Sequence, residues 1–349
     1  MKMTFRWYGL DDKISLKYIR QIPCMSGVVT AVYDTPVGEV WSRESINALK
    51  TAAESEGLSF EVIESVPVHE DIKLGSGDAA RYIENYKENV RRLGEAGVKC
   101  ICYNFMPVFD WLRSELKKEN ADGSNALAYD HKTVLAMNPL TSDLDLPGWD
   151  SSYTKAGLKE LLNKYSGIDE EKLWENLAVF LKAVIPVAEE AGIKMAIHPD
   201  DPPWGIFGLP RIITDKKNLK RFLDIVDSPS NGITLCTGSL GVSTSNDLVD
   251  IIKACAGRMP FVHLRNIKIT GEKCFEESGH ISACGSLDMY EIIKALKETG
   301  FDGYIRPDHG RMIWGEEGKA GYGLYDRALG AMYLWGLIEA IEKQSKEGK

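Results

Sequence analysis

The chain has 349 residues, of which 44 % are hydrophobic and 27 % are charged, and its formal net charge at pH 7 is −9. This composition is that of an ordinary globular protein, and it excludes collagen, coiled-coil arrays and long disordered tracts. The acidic balance argues against nucleic acid as a partner. The seven cysteines have no paired spacing, and no apolar run reaches the ~18 to 20 residues of a membrane span. We therefore expect a cytoplasmic protein without membrane association.

Short β-branched or aromatic runs alternate along the chain with longer amphipathic segments, which is typical of a parallel sheet with crossover helices. The eight predicted strands cover residues 3–9, 27–34, 59–65, 98–105, 194–201, 233–239, 261–268 and 304–310. The eight predicted helices cover residues 15–22, 42–57, 78–96, 171–191, 216–227, 246–256, 287–299 and 326–344. Eight strand–helix units predict an α/β fold, the (β/α)₈ TIM barrel, with a single domain over residues 1–349.

The residues in excess of the usual barrel length fall after the fourth predicted strand. Segment 106–168 is rich in Pro, Gly, Asn, Asp and Ser and has no sustained hydrophobic period. We interpret it as a long insertion within the barrel domain, an active-site loop or lid. A doubly wound open sheet is the competing fold, but no Gly-x-Gly-x-x-Gly motif follows the first strand.

Each of the last four predicted strands ends with a residue that can bind a metal ion. These residues are His198, Cys236, His263 and Asp308. The carboxyl ends of barrel strands converge on one mouth, so the four side chains can meet there. Any one of them could be structural, and Cys236 alone could be an inert buried thiol. Two imidazoles, a thiolate and a carboxylate suit Zn²⁺ and Fe²⁺, and are less typical of Mn²⁺.

Two further groups are candidates for proton transfer. His309 directly follows Asp308, and the next residue, Gly310, frees the backbone so that His309 can turn toward the same mouth. A histidine at this place suits general acid or base catalysis, or it could orient a metal ligand. Tyr322 and Tyr325 lie in a glycine-rich segment that could fold over the mouth or form a simple capping turn.

Several residues near the predicted strand ends could bind an acidic sugar. Each arginine among them could instead form a structural salt bridge, and the tryptophan could instead pack in the hydrophobic core. The substrate-binding candidates are Arg6, Trp7, Asn104, Asp110, Arg265 and Arg311.

Long strings around these residues make the chain resemble the mannonate dehydratase family over essentially its whole length. The most specific strings are HPDDPPWGIFGLPRI at 198–212, RPDHGRMIWGE at 306–316 and GYGLYDRALG at 321–330. The resemblance implies a xylose-isomerase-like barrel that dehydrates D-mannonate to 2-dehydro-3-deoxy-D-gluconate in hexuronate catabolism. It also implies one Mn²⁺ or Fe²⁺ ion on the four metal-binding candidates, with His309 and Tyr322 transferring protons. This sequence departs from the family pattern at none of these six positions.

Three other readings are weaker. A sugar isomerase or epimerase of the same superfamily would favour a metal site richer in carboxylates. A non-catalytic sugar-binding protein would need a closed four-ligand site and would leave His309 and Tyr322 without a role. A barrel phosphodiesterase would need a basic face that is absent here. The C-terminal aromatic stretch at 332–335 suits an interface or plain packing, and we expect a homo-oligomer, in the first instance a dimer.

Overall fold

A computed structural model describes residues 1–139 and 155–347 of the chain. Eight parallel strands close into a barrel in the spatial order β1-β12-β9-β8-β7-β4-β3-β2. The barrel strands are β1 (Lys2–Arg6), β2 (Met25–Thr30), β3 (Ser59–Glu64), β4 (Cys100–Tyr103), β7 (Lys194–Ile197), β8 (Asn231–Cys236), β9 (Phe261–Leu264) and β12 (Tyr304–Pro307). The predicted (β/α)₈ barrel is confirmed, and each barrel strand lies within or overlaps a predicted one.

Helices surround the barrel, and their apolar faces pack on the outward side chains of the strands. In the helix Glu170–Glu190, for example, four side chains at the spacing of one helical face are fully buried: Leu177, Phe180, Leu181 and Val184. The helices are α1 (Leu16–Arg20), α2 (Arg43–Ser55), α3 (Glu70–Leu74), α4 (Ala79–Glu95), α5 (His131–Ala136), α6 (Lys155–Tyr165), α7 (Glu170–Glu190), α8 (Lys216–Ile225), α9 (Thr237–Gly241), α10 (Leu248–Ala254), α11 (Met289–Glu298) and α12 (Tyr325–Glu347). Within the described ranges, no helix is both long and apolar enough to cross a bilayer.

All eight predicted helices are present, and the further short ones were not predicted. Helices α3, α5 and α9 have five or six residues each, and α6 belongs to the segment that we predicted as a loop. A helix of one or two turns leaves too short a hydrophobic period to be recognised in a sequence.

A second, four-stranded antiparallel sheet stands outside the barrel, and its order is β10-β11-β6-β5. Strands β5 (Glu115–Glu119) and β6 (Asn125–Asp130) come from the insertion after β4, whereas β10 (Ile267–Gly271) and β11 (Cys274–Glu277) form a hairpin after β9. Strands β5 and β6 and helices α5 and α6 therefore replace the predicted loop over much of the described part of segment 106–168, whereas its role as a lid stays a prediction. Residues 140–154 of that segment lie outside the described ranges.

Two strands end earlier than the sequence patterns predicted, so His198 and Asp308 lie one residue beyond the barrel sheet, whereas Cys236 and His263 lie within strands β8 and β9. The predicted strand at 194–201 ends at Ile197, and the one at 304–310 ends at Pro307. The predicted strand at 261–268 is in fact two strands, because the chain leaves the barrel after Leu264 and re-enters sheet structure at Ile267. Hydrophobic runs that continue through such a corner conceal it in the sequence.

Candidate active site

Four side chains meet at the carboxyl ends of strands β7, β8, β9 and β12. Ligand atoms of His198, Cys236 and His263 all lie within 4.8 Å of one another, and His198 Nε2 is 3.2 Å from His263 Nδ1. Asp308 Oδ2 is 3.8 Å from both Cys236 Sγ and His263 Nδ1. Cys236 and His263 are register partners on neighbouring strands, so their side chains point to the same side of the sheet. The structure thus brings together the four residues predicted as metal ligands.

The environment of Cys236 favours its thiolate form. Burial alone would raise the pKa of this thiol, but the guanidinium of Arg265 and the imidazole of His198 hold it well below its usual range. The sulfur also accepts hydrogen bonds from the backbone N of Ser239 at 3.4 Å and from its hydroxyl at 3.1 Å. A thiolate is the form in which cysteine binds metal ions.

The cluster has the charge and the donor atoms that suit a divalent cation. Burial would raise the pKa of Asp308, but Arg306, 2.8 Å from its Oδ1, holds it well below the usual range. Burial would lower the pKa of His198, but the thiolate of Cys236 raises it to about 9. A site that draws a proton onto a buried imidazole stabilises positive charge, and a divalent cation supplies that charge while leaving the imidazole neutral. The four residues therefore fit a cation with mixed nitrogen, sulfur and oxygen ligands.

His309 and Tyr322 form a hydrogen-bonded pair beside this cluster, with 2.7 Å between His309 Nε2 and the phenol oxygen. Burial raises the pKa of Tyr322 well above 10, so the phenol keeps its proton at neutral pH and can donate a hydrogen bond to an unprotonated Nε2 of His309. On the other side of the ring, His309 Nδ1 lies 3.4 Å from Glu277 Oε1. The ring of Trp111 covers His309 with 4.5 Å between centroids. The pair therefore offers one proton donor and one proton acceptor at fixed positions.

A cavity of about 420 Å³ opens onto the metal-binding cluster and the His309–Tyr322 pair. This volume lies within the range of small-molecule binding sites. Its wall carries charged groups of both signs, among them guanidinium, ammonium and carboxylate groups. The charged lining residues are Arg6, Glu64, Glu70, Lys73, Asp110, Asp201, Arg306, Asp308 and Lys319.

The structure separates the predicted substrate-binding residues into two sets. Arg6, Asn104 and Asp110 line the cavity. Trp7 does not line it, because this side chain is 3 % exposed and belongs to the main hydrophobic core. The two other arginines also lie outside the lining: Arg265 is fully buried and contacts Asp308, and Arg311 pairs with the exposed Asp122 and the buried Asp326. Of the two interpretations of Trp7, the structure therefore favours a core residue over a substrate-binding one.

A buried network of two arginines and two carboxylates lies against the site. Arg113 is 2.9 Å from Asp201 and 2.8 Å from Glu277. Arg265 contacts the same two carboxylates and also reaches Asp308, with 3.1 Å between its Nε and Oδ2. Glu277 lies on β11, so the second sheet contributes a negative charge to this buried network.

We expect the substitution Asp201→Asn to destabilise the fold by about 3 to 5 kcal/mol, because it leaves two buried guanidinium groups short of a negative charge. Asp122→Asn is the matched control. Asp122 pairs with Arg311 at 3.0 Å, but its side chain is 59 % exposed, so its loss costs at most about 1 kcal/mol. Urea denaturation of both variants measures the difference. Equal free energies of unfolding would show that the buried network does not stabilise the fold.

Sequence reasoning missed several charged residues of the site. Arg306 and Glu64 lie at or near the ends of barrel strands and line the cavity. Arg306 is the register partner of His263, and Glu64 is that of Cys102, which also lines the cavity. A charged residue at the end of a hydrophobic strand was the signal available for both. Glu277 gave no such signal, because it comes from a hairpin of the second sheet.

The fold and the site define a class of protein, a (β/α)₈ barrel with a candidate metal centre at the carboxyl ends of its strands. The family model described as D-mannonate dehydratase (UxuA) matches residues 1–348. The chain belongs to the mannonate dehydratase family.

Individual relatives agree with that family. The chain is 57 % identical to mannonate dehydratase 2 of Halalkalibacterium halodurans, with 98 % of this chain and 99 % of the relative covered. It is also 57 % identical to the mannonate dehydratase of Streptococcus uberis, with 99 % and 100 % covered. The crystal structure of mannonate dehydratase from Streptococcus suis serotype 2 matches with a TM-score of 0.91 at 47 % identity, covering 99 % of this chain and 95 % of that one.

More distant structures share the fold alone. A D-psicose 3-epimerase from Clostridium cellulolyticum H10 has a TM-score of 0.56 at 16 % identity and covers 99 % of both chains. The same barrel carries different reactions, so this likeness says nothing about the chemistry of the present chain.

Proposed function

We propose that this chain catalyses the dehydration of D-mannonate to 2-dehydro-3-deoxy-D-gluconate and water, with Mn²⁺ or Fe²⁺ as the divalent ion. The observation that carries the proposal is the match to the D-mannonate dehydratase family over residues 1–348. The geometry supports it, because a cation-binding cluster and a donor–acceptor pair border the same cavity. This arrangement suits the removal of water from a hydroxy acid.

The reaction removes a proton from C2 and a hydroxyl group from C3 of the aldonate. The electron pair of the C2–H bond forms a C2–C3 double bond while the C3–O bond breaks, and the resulting enol tautomerises to the 2-keto acid. The C2 proton is weakly acidic because it lies beside a carboxylate that already carries charge. The protein therefore has to stabilise additional negative charge, accept one proton and deliver another.

His198, Cys236, His263 and Asp308 are the residues that would hold the ion. When bound, a divalent cation supplies Lewis-acid stabilisation of negative charge on substrate oxygen. Arg306 lines the cavity beside this cluster and carries a fixed positive charge in a buried place. Such a guanidinium binds and orients a carboxylate group.

His309 and Tyr322 divide the proton transfers in this proposal. His309 Nε2, which lies 2.7 Å from the phenol oxygen, carries the lone pair and takes the proton from C2. Tyr322 holds its own proton because burial raises its pKa, and it donates that proton to the departing C3 hydroxyl. Glu277 faces the other ring nitrogen of His309 and favours the tautomer with its proton on Nδ1.

The first experiment incubates metal-stripped protein with D-mannonate, with and without Mn²⁺ or Fe²⁺, and follows the formation of 2-keto-3-deoxy acid. D-Altronate and a neutral aldose are tested in parallel. We expect product from D-mannonate only when a divalent ion is added. Isomerised or epimerised aldose, with no keto-deoxy acid under any metal, would overturn the proposal in favour of a sugar isomerase or epimerase.

We also infer that the chain forms a homo-oligomer, and we expect this oligomer to be a dimer. Exposed apolar side chains cluster near the start of the last helix, where Trp314 is 73 % exposed and its ring lies 5.5 Å from that of Tyr325. Leu329 and Met332 follow on α12 and are also exposed. Contiguous exposed apolar groups mark interaction surfaces. Sedimentation equilibrium at micromolar concentration tests this assembly.

A further inference from the structure

The two histidines of the metal-binding cluster differ in what satisfies their second ring nitrogen. His198 presents Nε2 to the cluster, and its Nδ1 lies 2.6 Å from the carbonyl oxygen of Pro199. His263 presents Nδ1 to the cluster, and its Nε2 lies 3.4 Å from Glu64 Oε2. Among the described residues, these last two atoms are both buried and without a hydrogen-bond partner. A buried donor and a buried acceptor therefore face each other.

Glu64 reaches His263 from the opposite side of the barrel. It is the last residue of β3, which lies four strands away from β9 in the closed order of eight. Its other carboxylate oxygen, Oε1, is held 3.0 Å from Arg306. The backbone carbonyl of Glu64 also accepts a hydrogen bond from Arg6. These two contacts fix the carboxylate with Oε2 directed at the imidazole.

We propose that Glu64 is a positioning residue for the metal centre, whose carboxylate accepts the Nε2 proton of His263 and thereby aims the Nδ1 lone pair at the cation. A neutral imidazole has one protonated and one unprotonated nitrogen, so a carboxylate on the first decides which atom can bind metal. The proposal rests on the metal centre assigned above. In this role, Glu64 provides a hydrogen-bond acceptor for the second ring nitrogen of His263, as the Pro199 carbonyl does for that of His198.

Glu64 also balances charge around the cation. Arg306 contacts both Glu64 and Asp308, with 3.0 Å and 2.8 Å between the charged atoms. Without the Glu64 carboxylate, Asp308 is the one carboxylate that Arg306 still contacts among the described residues, and the guanidinium then competes with the cation for that ligand. Removal of Glu64 therefore weakens two ligands, His263 through its orientation and Asp308 through its charge.

A second cation site at Glu64 is the alternative, because ligand atoms of Glu64, Cys102 and His263 also lie within 4.8 Å of one another. The environment of Cys102 argues against it. Cys102 is fully buried, and its Sγ already accepts a hydrogen bond from the Thr234 hydroxyl at 3.2 Å. The geometry therefore favours Glu64 as a partner of His263.

The test titrates the metal-stripped full chain with Co²⁺ and follows the thiolate-to-cobalt charge-transfer band of Cys236, which reports binding without any substrate. The variants are Glu64→Gln and Glu64→Ala. The matched control is Glu61→Gln, on the same strand, where Glu61 pairs with Lys2 at 2.8 Å and with the Tyr304 hydroxyl at 3.0 Å. Circular dichroism verifies that each variant is folded, and Glu64→Asp replaces any variant that is not.

We expect both Glu64 variants to bind Co²⁺ about 10 to 100 times more weakly than the original chain, with an altered band, as for loss of an outer-shell partner of a metal-bound histidine. Glu61→Gln should bind with unchanged affinity. Unchanged Co²⁺ affinity in the Glu64 variants would overturn the proposal. Two ions per chain, falling to one in Glu64→Gln, would overturn it in favour of a second site. Absence of the band in the original chain would instead refute the metal centre itself.

Discussion

The substitution His309→Asn is expected to lower kcat for D-mannonate dehydration by about 10²- to 10⁴-fold, the range for loss of a positioned general acid or base. Asparagine keeps a polar side chain of similar reach but cannot accept the C2 proton at neutral pH. Tyr322→Phe should cost a comparable factor, because phenylalanine has no proton to give to the leaving hydroxyl. Steady-state kinetics at saturating metal measures both effects.

Two matched substitutions serve as controls for this prediction. His131→Asn changes a histidine on α5 that lies outside the cavity lining, and Tyr325→Phe changes an exposed tyrosine three residues beyond Tyr322. Both should leave kcat within about twofold, as surface changes away from a site do. If His309→Asn retained bound metal and near-normal kcat, His309 would have no part in proton transfer.

Isotope exchange separates the two roles. In D₂O, Tyr322→Phe should still exchange the C2 proton of D-mannonate for deuterium, because His309 can remove that proton although the hydroxyl fails to leave. His309→Asn should lose both exchange and elimination. The reverse pattern would assign the base to Tyr322 and the acid to His309.

The substitution Cys236→Ser is expected to abolish both metal retention and activity. We expect metal affinity to fall by more than about 100-fold, since even the loss of a residue that only hydrogen-bonds to a metal ligand lowers affinity by about 10- to 100-fold. Cys236 is the one thiolate of the cluster, and its sulfur lies 3.8 Å from Asp308 Oδ2. A serine hydroxyl is far less acidic than a thiol and stays neutral here. Equilibrium dialysis with elemental analysis measures the bound ion directly.

Cys284→Ser is the control for that substitution, because this thiol is exposed. It should retain the ion and the activity of the original chain. Treatment with a strong chelator should reproduce the inactivity of Cys236→Ser, and added Mn²⁺ or Fe²⁺ should restore activity to the chelated original chain but not to the variant. Full activity in metal-free Cys236→Ser would contradict a metal-dependent reaction.

The barrel could be predicted because its signal is local and repeated. Each buried strand, such as β8 with all six residues buried, is a short β-branched or apolar run, and each long crossover helix has an amphipathic period. The metal-binding candidates could be predicted for a related reason. Parallel barrel strands deliver their carboxyl ends to one mouth, so residues far apart in sequence share a place that the strand count alone assigns.

The second sheet could not be predicted from the sequence. Strand β5 has the pattern ELKKE, in which no residue is buried, and its stability comes from pairing with β6 and, through it, with a hairpin more than a hundred residues further on. Such long-range pairing leaves no local period. The contribution of Glu277 to the site follows from this pairing and was invisible for the same reason.

By itself, the sequence determined the number and order of the barrel units and the family to which the chain belongs. It also determined that four residues lie at the carboxyl ends of the last four barrel strands: His198, Cys236, His263 and Asp308. Only the tertiary structure decided which charges face one another. It placed Trp7 in the core, set Arg265 against Asp308 of the candidate metal centre, and brought Glu64 across the barrel to His263. Hydrophobic periodicity fixes where a strand lies, but ion pairs depend on side-chain distances of a few ångströms between distant segments, and these exist only once the barrel has closed.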